Sequence, residues 1–314
     1  MKPYSAQNHL TVQGLILLGV GSVLLGLIIG GLAYFISNFI YFIIVFPLVI
    51  GGIAMIAFGK LIQQSRIRHA LVSTAFGIVT GILVATTFYG TPYLILRNKV
   101  IANYQEKYQL NAKDASIAFD SALKQNTGSS GLIGYMKLRA AEGDEYSHYL
   151  IVNSMPIPLF SFSLKSTGAW LYWLLETILF IFPIAWIGNE TGKSPFNQSA
   201  NDWYNTASTQ IGSVRLEDKQ SLLTYFQTND YQGICQLIFP EGQIKHPMIE
   251  IYRQGSRNKR GNILISLKQT FRKSQTTVKR SLVGQWEVTQ AEEQTLVDML
   301  SNRVAENDPA IGVG

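Results

Sequence analysis

Long apolar runs free of charge dominate the first hundred residues. Gly14 to Ile36 and Phe39 to Gly59 contain no charged side chain, and Leu71 to Leu96 is a third such run, closed by Arg97, Asn98 and Lys99. A helix needs about 20 apolar residues to cross a hydrocarbon layer about 30 Å thick, so each run is long enough to span. Only Ser37 and Asn38 separate the first two, which predicts a tight helical hairpin. A fourth run, Ala169 to Ile187, opens with Trp170, Tyr172 and Trp173 and closes on Trp186, aromatics suited to the two headgroup layers. The first run is too long for a cleaved leader and no small-x-small site follows it, so it reads as a retained helix.

The pattern changes where the runs stop. Asn111 with Asp114 three residues on forms an Asx version of the capping box. Ala115, Ala118, Phe119 and Ala122 then recur at helical spacing until Gly128. Gly131 to Leu138 and Tyr149 to Leu164 read as strand-like, interrupted by Pro156 and Pro158. After a linker at 189–201, rich in Gly, Ser, Asn and Pro, a helix is predicted over Leu216–Gln227. Four strand-like runs follow, Gly233–Phe239, Met248–Arg253, Asn262–Phe271 and Lys279–Val288, and then an amphipathic helix over Ala291–Ala305. The fold class is therefore an α-helical membrane protein with four transmembrane helices and two small α+β modules. Residues 1–98 are the three-helix membrane region, 99–168 an extracytoplasmic module, 169–188 the fourth helix, and 202–314 a cytoplasmic domain.

Composition agrees with this reading. Charged residues make up 15% of the chain against about 25% in soluble domains, and 47% are hydrophobic. Residues 1–98 hold Lys2, Lys60, Arg66, Arg68 and Arg97 and no acidic residue. Short loops rich in Lys and Arg stay in the cytoplasm, so the 60–70 loop places both termini inside. Arg97 and Lys99 argue weakly the other way. The single cysteine, Cys235, excludes an internal disulfide and reads as a small core residue. The four histidines make no metal spacing, and neither a nucleotide loop nor a catalytic triad can be assembled. No cofactor and no metal are expected.

A few residues stand out against this background. Glu176 lies inside the fourth run, where a carboxylate is costly unless it faces protein or water. Its candidate partners are Thr86, Thr87, Tyr89 and Tyr93 of the third run and Arg97 at that run's end. Two readings stand: a proton or cation relay, or a polar bond between helices. Ser22, Gly26 and Gly30 at four-residue spacing, with Gly77 and Gly81, favour close approach of the first and third helices. Between Arg253 and Arg280 lie nine basic residues and no acidic one. Arg257, Lys259, Arg260, Arg272, Lys273, Lys279 and Arg280 form the candidate surface for anionic lipid headgroups. Only Phe271 is interleaved among them, so nucleic acid is not expected.

Gly134-Tyr135 with Arg139 and Gly143, the Trp173-Leu-Leu-Glu176 stretch, and Pro195-Phe196 with Trp203-Tyr204 together resemble a family of uncharacterised multi-pass membrane proteins of bacteria. The resemblance covers roughly residues 110–210. It implies a bacterial plasma (inner) membrane and a C-x-x-C pair between the Pro-Phe and Trp-Tyr elements, where this chain has Asn197 and Ala200. Any metal or redox role carried by that pair is absent here. The expectation is a non-enzymatic scaffold, assembly factor or sensor working with a membrane partner or as a homo-oligomer. The alternative is a small transporter or channel subunit using Glu176, Arg97 and Tyr93.

Overall fold

The fold is that of a computed structural model, which describes all residues except 5–9, 40, 43, 153–154, 198, 201, 205–206, 240–246, 256–260, 273–277 and 308–314; side chains of 144–152, 155–163, 272, 278 and 301–307 are likewise left undescribed. The chain divides into two units, residues 8–193 and residues 1–7 with 194–314.

The first unit is built on four helices long and apolar enough to cross a membrane: α1 (Val12–Ser37), α2 (Val45–Ser65), α3 (Ala70–Tyr108) and α6 (Thr167–Lys193). Thr11 starts α1 by accepting a hydrogen bond from the Gly14 N–H, and His69 starts α3 by accepting from Val72. Helix α2 begins later than the apolar run suggests. It starts at Val45, and Ile44 before it has φ of 67°. Helix α3 continues past Arg97 to Tyr108, because charges end a lipid-soluble run without ending a helix. Helix α6 likewise continues to Lys193, so the expected linker begins as helix.

Glycine decides how these helices meet. A Cβ on Gly26 would lie 3.1 Å from the Thr80 carbonyl oxygen, and one on Gly30 would lie 2.5 Å from that of Val84. Helices α1 and α3 thus run the same way in near backbone contact. Gly77 and Gly81 face α6 instead, against Ile184 and Ile181, while Gly188 and Gly192 of α6 face Ser73 and Ala70. Helices α3 and α6 are therefore antiparallel. Gly51 against Leu179 and Gly59 against Ile187 set α2 parallel to α6. The four helices alternate in direction within one bundle. Small residues matter here because lipid supplies no hydrophobic drive for helices to associate, so backbone proximity and packing must. The outward faces carry exposed Val20, Leu24, Ile28, Leu48, Ile56 and Leu174.

Between α3 and α6 come α4 (Ala112–Thr127), α5 (Gly131–Glu142) and a hairpin of β2 (Asp144–Val152) and β3 (Met155–Leu164). Asn111 caps α4 by accepting from the Asp114 N–H at 2.9 Å, and Gly128 ends it at φ 73°. The strand-like reading of Gly131–Leu138 is corrected: this stretch is helix, packed through Tyr135 and Met136. A short apolar run does not distinguish a strand from a buried helix face.

The second unit holds a two-stranded ladder of β4 (Phe196–Asn197) and β5 (Asp202–Trp203) and a five-stranded antiparallel sheet in the order β1-β9-β8-β7-β6, formed by β1 (Lys2–Pro3), β6 (Thr209–Arg215), β7 (Met248–Gln254), β8 (Ile263–Arg272) and β9 (Val278–Val288). Alternate residues Ile249 and Ile251, Ile263, Ile265 and Leu267, and Trp286 and Val288 form one buried cluster. Onto it pack α7 (Lys219–Thr228), α8 (Tyr231–Leu237) and α9 (Gln290–Asn307) through Leu222, Phe226, Ile234, Cys235 and Leu296. The predicted strand over Gly233–Phe239 is instead α8, because Asp230 caps it by accepting from the Gly233 N–H at 2.8 Å. Two strands of this five-stranded sheet escaped the sequence reading: β6, with few apolar residues, and β1, whose Lys2 and Pro3 pair with Glu287 and Trp286.

Candidate functional site

Glu176 is 1% exposed, one turn beyond Trp173 on α6. Its two carboxylate oxygens accept from two different parts of the chain. The Tyr41 hydroxyl, in the stretch between α1 and α2, donates to Oε1 at 2.6 Å, and the Tyr89 hydroxyl of α3 donates to Oε2 at 2.5 Å. Tyr41 is also hydrogen-bonded to the hydroxyl of Tyr172 on α6. The carboxylate thus ties α6 to α3 and to the α1–α2 connection. Aromatic rings surround it, with Phe88 against Phe180 at 5.6 Å, Phe46 against Tyr41 at 5.1 Å and Tyr89 against Trp173 at 6.4 Å. This shell excludes water, and in such surroundings a hydrogen bond to a carboxylate strengthens while an unmet polar group becomes expensive.

The third helix distributes its other polar groups elsewhere. Tyr93, one turn from Tyr89, packs against Phe119 of α4 and Tyr135 of α5 at 6.3 and 5.8 Å. Arg97 bonds Ser116 of α4. Both residues therefore fasten the α4–α5 pair to α3. Thr87 lies under Gly30, and Thr86 is exposed. Arg139 of α5 holds its guanidinium over the rings of Tyr135 and Trp173, at 5.8 and 6.0 Å. The Gly-Tyr-x3-Arg and Trp-Leu-Leu-Glu stretches, 37 positions apart between Arg139 and Glu176, are thereby brought together. Tyr41 and Tyr172 were the partners missed from sequence. Tyr172 sits four residues before Glu176, one helical turn away, and that spacing was the available signal.

The basic stretch looks different once folded. Arg280 pairs with the buried Glu250 at 2.8 Å, and Arg253 with Glu293 at 2.6 Å. Acidic residues from other elements thus neutralise two of the nine charges. Lys268 lies over the Tyr252 ring at 4.5 Å, and burial with the Glu250 carboxylate beside it pushes the Tyr252 hydroxyl up to about 12. Lys279 is exposed. Arg257, Lys259, Arg260 and Lys273, and the side chain of Arg272, lie outside the described residues.

Asn197 stands at the first of the two positions where the resemblance noted above would place cysteines. It is fully buried; its Oδ1 accepts from the Ser199 hydroxyl and the Ala200 N–H, at 2.7 and 3.1 Å, while Nδ2 donates to the Asn262 carbonyl at 2.6 Å. Phe196 and Trp203 pair across the resulting turn with rings at 90°. Hydrogen bonds close this loop. Among the described residues no group of three or more His, Cys, Asp or Glu side chains could hold a metal ion. Comparison with protein-family models, curated proteins and solved structures finds no match.

Proposed function

We propose that this chain is a multi-pass protein of a bacterial plasma membrane that acts without catalysis, as a scaffold, assembly factor or sensor. The observation that carries the proposal is the use made of Glu176. Both its oxygens are engaged by phenols of the same chain, so the carboxylate buried in the bundle serves to lock helices rather than to meet a passing ion. The four helices form a fixed anchor for a folded unit assembled from both ends of the chain. Lys2 and Pro3 hydrogen-bond to β9, which requires residues 1–3 and 278–288 to share one side of the membrane. An even number of crossings satisfies that, and the alternating directions of α1, α2, α3 and α6 supply four. The basic loop at Lys60, Arg66 and Arg68 makes the shared side cytoplasmic, leaving α4, α5 and the β2–β3 hairpin outside.

Reporter fusions after residues 110 and 314 test the orientation; activity of a periplasmic reporter at 314 would reverse it. Gentle detergent extraction of the tagged full chain tests the role. A partner or second copy should co-purify in fixed ratio, and a bare monomer from native membranes would sink the proposal. A transporter subunit is the second reading, favoured by the continuous polar chain Tyr172–Tyr41–Glu176–Tyr89. Ion flux in proteoliposomes that vanishes in Glu176→Gln would establish it.

A further inference from the structure

We propose that Glu176 is a one-sided proton-binding site, loaded through the Tyr41 hydroxyl from the water at the end of the bundle where α1 joins α2. The inference rests on the reading of Glu176 as a lock between helices, and it deepens the sensor form of that reading. Because α2 runs parallel to α6, the same end carries the start of α6 with Tyr172. Of the four groups in the cluster, Glu176, Tyr89 and Tyr172 are buried, and Tyr41 alone is partly exposed. Tyr41 is therefore the member that water meets.

The hydrogen-bond inventory allows two charge states on the same atoms. A phenol carries one proton and can accept as well as donate. Tyr41 spends its proton on Oε1 of Glu176, so in the bond between Tyr41 and Tyr172 the donor is Tyr172. With Tyr89 donating to Oε2, this is the pattern of an ionised carboxylate. Loading begins when a hydronium ion gives a proton to the Tyr41 oxygen while Tyr41's own proton crosses the 2.6 Å to Oε1. One O–H bond forms at each of the two oxygens, one breaks at Tyr41 and one in the hydronium, which leaves as water. The new acid then donates back to the Tyr41 oxygen, which still accepts from Tyr172 and turns its own proton to the water. Tyr89 stays on Oε2, with the Trp173 carbonyl at 3.4 Å as a second acceptor.

Both states are satisfied without moving a helix, but they differ in strength. A hydrogen bond to an ionised group is about twice as strong as a neutral one, so loading weakens the tie between α6 and the α1–α2 connection. Among the described residues, the other titratable or charged groups around the site are Tyr34 of α1, packed on the same apolar cluster, and Arg139 of α5, over the Trp173 ring. Helix α2 contributes Phe46, and on α3 Tyr93 and Arg97 turn to α4 and α5. Away from the Tyr41 end, the seam between α3 and α6 continues as Phe88 on Phe180, Gly81 on Ile181 and Gly77 on Ile184. Those contacts offer no hydroxyl to pass the proton on, so it is held rather than conducted.

The test uses the full chain in phosphatidylcholine bilayers, followed by infrared difference spectroscopy as the medium is acidified. A carbonyl band of a protonated carboxylic acid should appear that is missing in Glu176→Gln. After a rapid pH drop the band should grow about a hundredfold more slowly in Tyr41→Phe, which removes the relay. In Tyr89→Phe, which removes a bond off the route, it should grow at the parent rate. Absence of any Glu176-dependent band overturns the proposal, and so does a band that grows as fast in Tyr41→Phe as in the parent. A pH difference across sealed vesicles that collapses with the parent and persists with Glu176→Gln overturns it as well, since the proton would then be conducted. Denaturation of Glu176→Leu reports on the lock separately, so an intact lock without the band sinks this proposal alone.

Discussion

Replacing Glu176 with Leu removes the acceptor for Tyr41 and Tyr89 and leaves two phenolic hydroxyls inside an aromatic shell. Hydrogen bonds between helices in a bilayer contribute about 0.6 kcal/mol on average and at most about 1.7. Bonds to charged groups in soluble proteins reach about 1.5–3 kcal/mol. Taking about 1–1.5 kcal/mol for each of the two bonds, the single substitution should cost about 2–3 kcal/mol. Removing the whole cluster is a different experiment. With Glu176→Leu combined with Tyr41→Phe, Tyr89→Phe and Tyr172→Phe, the phenols go together with their carboxylate acceptor, and the new rings extend the packing of Phe46, Phe88 and Phe180. Apolar replacement of a complete buried polar network is often neutral, so the quadruple variant should lie within about 1 kcal/mol of the parent. Denaturant titration in detergent, followed by tryptophan emission from Trp170, Trp173 and Trp186, measures both. A single variant as stable as the parent, or a quadruple variant no more stable than the single one, would refute the argument that this cluster acts as one polar lock.

Gly188→Ala should destabilise the bundle by about 1–3 kcal/mol, because its Cβ would lie 2.7 Å from the Ser73 carbonyl oxygen, whereas Gly31→Ala, into open space, should be neutral by the same titration. Burial opposes ionisation of Glu292, but the Thr289 N–H, the chain's terminal ammonium and the Tyr231 and Thr289 hydroxyls outweigh it and hold the group down at about 2. A carboxyl depressed in the folded state stabilises above its ordinary range and loses that contribution as pH falls. Stability of the sheet unit should therefore decline from about pH 5 to about pH 2, and Glu292→Gln should flatten that slope in acid titrations. Asn197→Ala should cost about 2–3 kcal/mol by stranding the Ala200 N–H and the Asn262 carbonyl, which hydrogen exchange at Ala200 would report.

The membrane-length helices were legible because twenty apolar residues without a charge have few other uses. Their ends were less so. Arg97 and Lys99 bound the lipid-soluble part of α3, yet nothing in residues 97–108 opposes helix. Short segments failed where two periods fit equally well: Gly131–Leu138 and Gly233–Phe239 were read as strands, and in the latter a cap on Asp230 decides for helix. For the glycines, spacing marked Gly26, Gly30, Gly77 and Gly81 as contact residues, but spacing does not name the neighbour, and Gly77 and Gly81 turned out to face α6. Glu176 stood out by its cost alone. Its partner Tyr41 is 135 positions away in a stretch that looked like the start of a helix, and no local pattern reports such a contact. The basic run from Arg253 read as uncompensated because Glu250 and Glu293 lie just outside it in sequence.

The pairing of Lys2–Pro3 with β9 also bears on timing. Pro3 and Trp286 are partners 283 residues apart, and all four membrane-length helices lie between them. At about 5–20 residues per second, the first strand made waits roughly 15–60 s for the strand it joins. It completes the sheet only after all four membrane-length helices have been made. Closure of that edge thus records that everything between the two strands has been made. A chain stalled after α6 would display a loose amino-terminal segment, and one with an odd number of insertions would hold the two strands on opposite sides. Either fault would leave the Trp286 edge of the sheet open, a state that limited protease digestion could read.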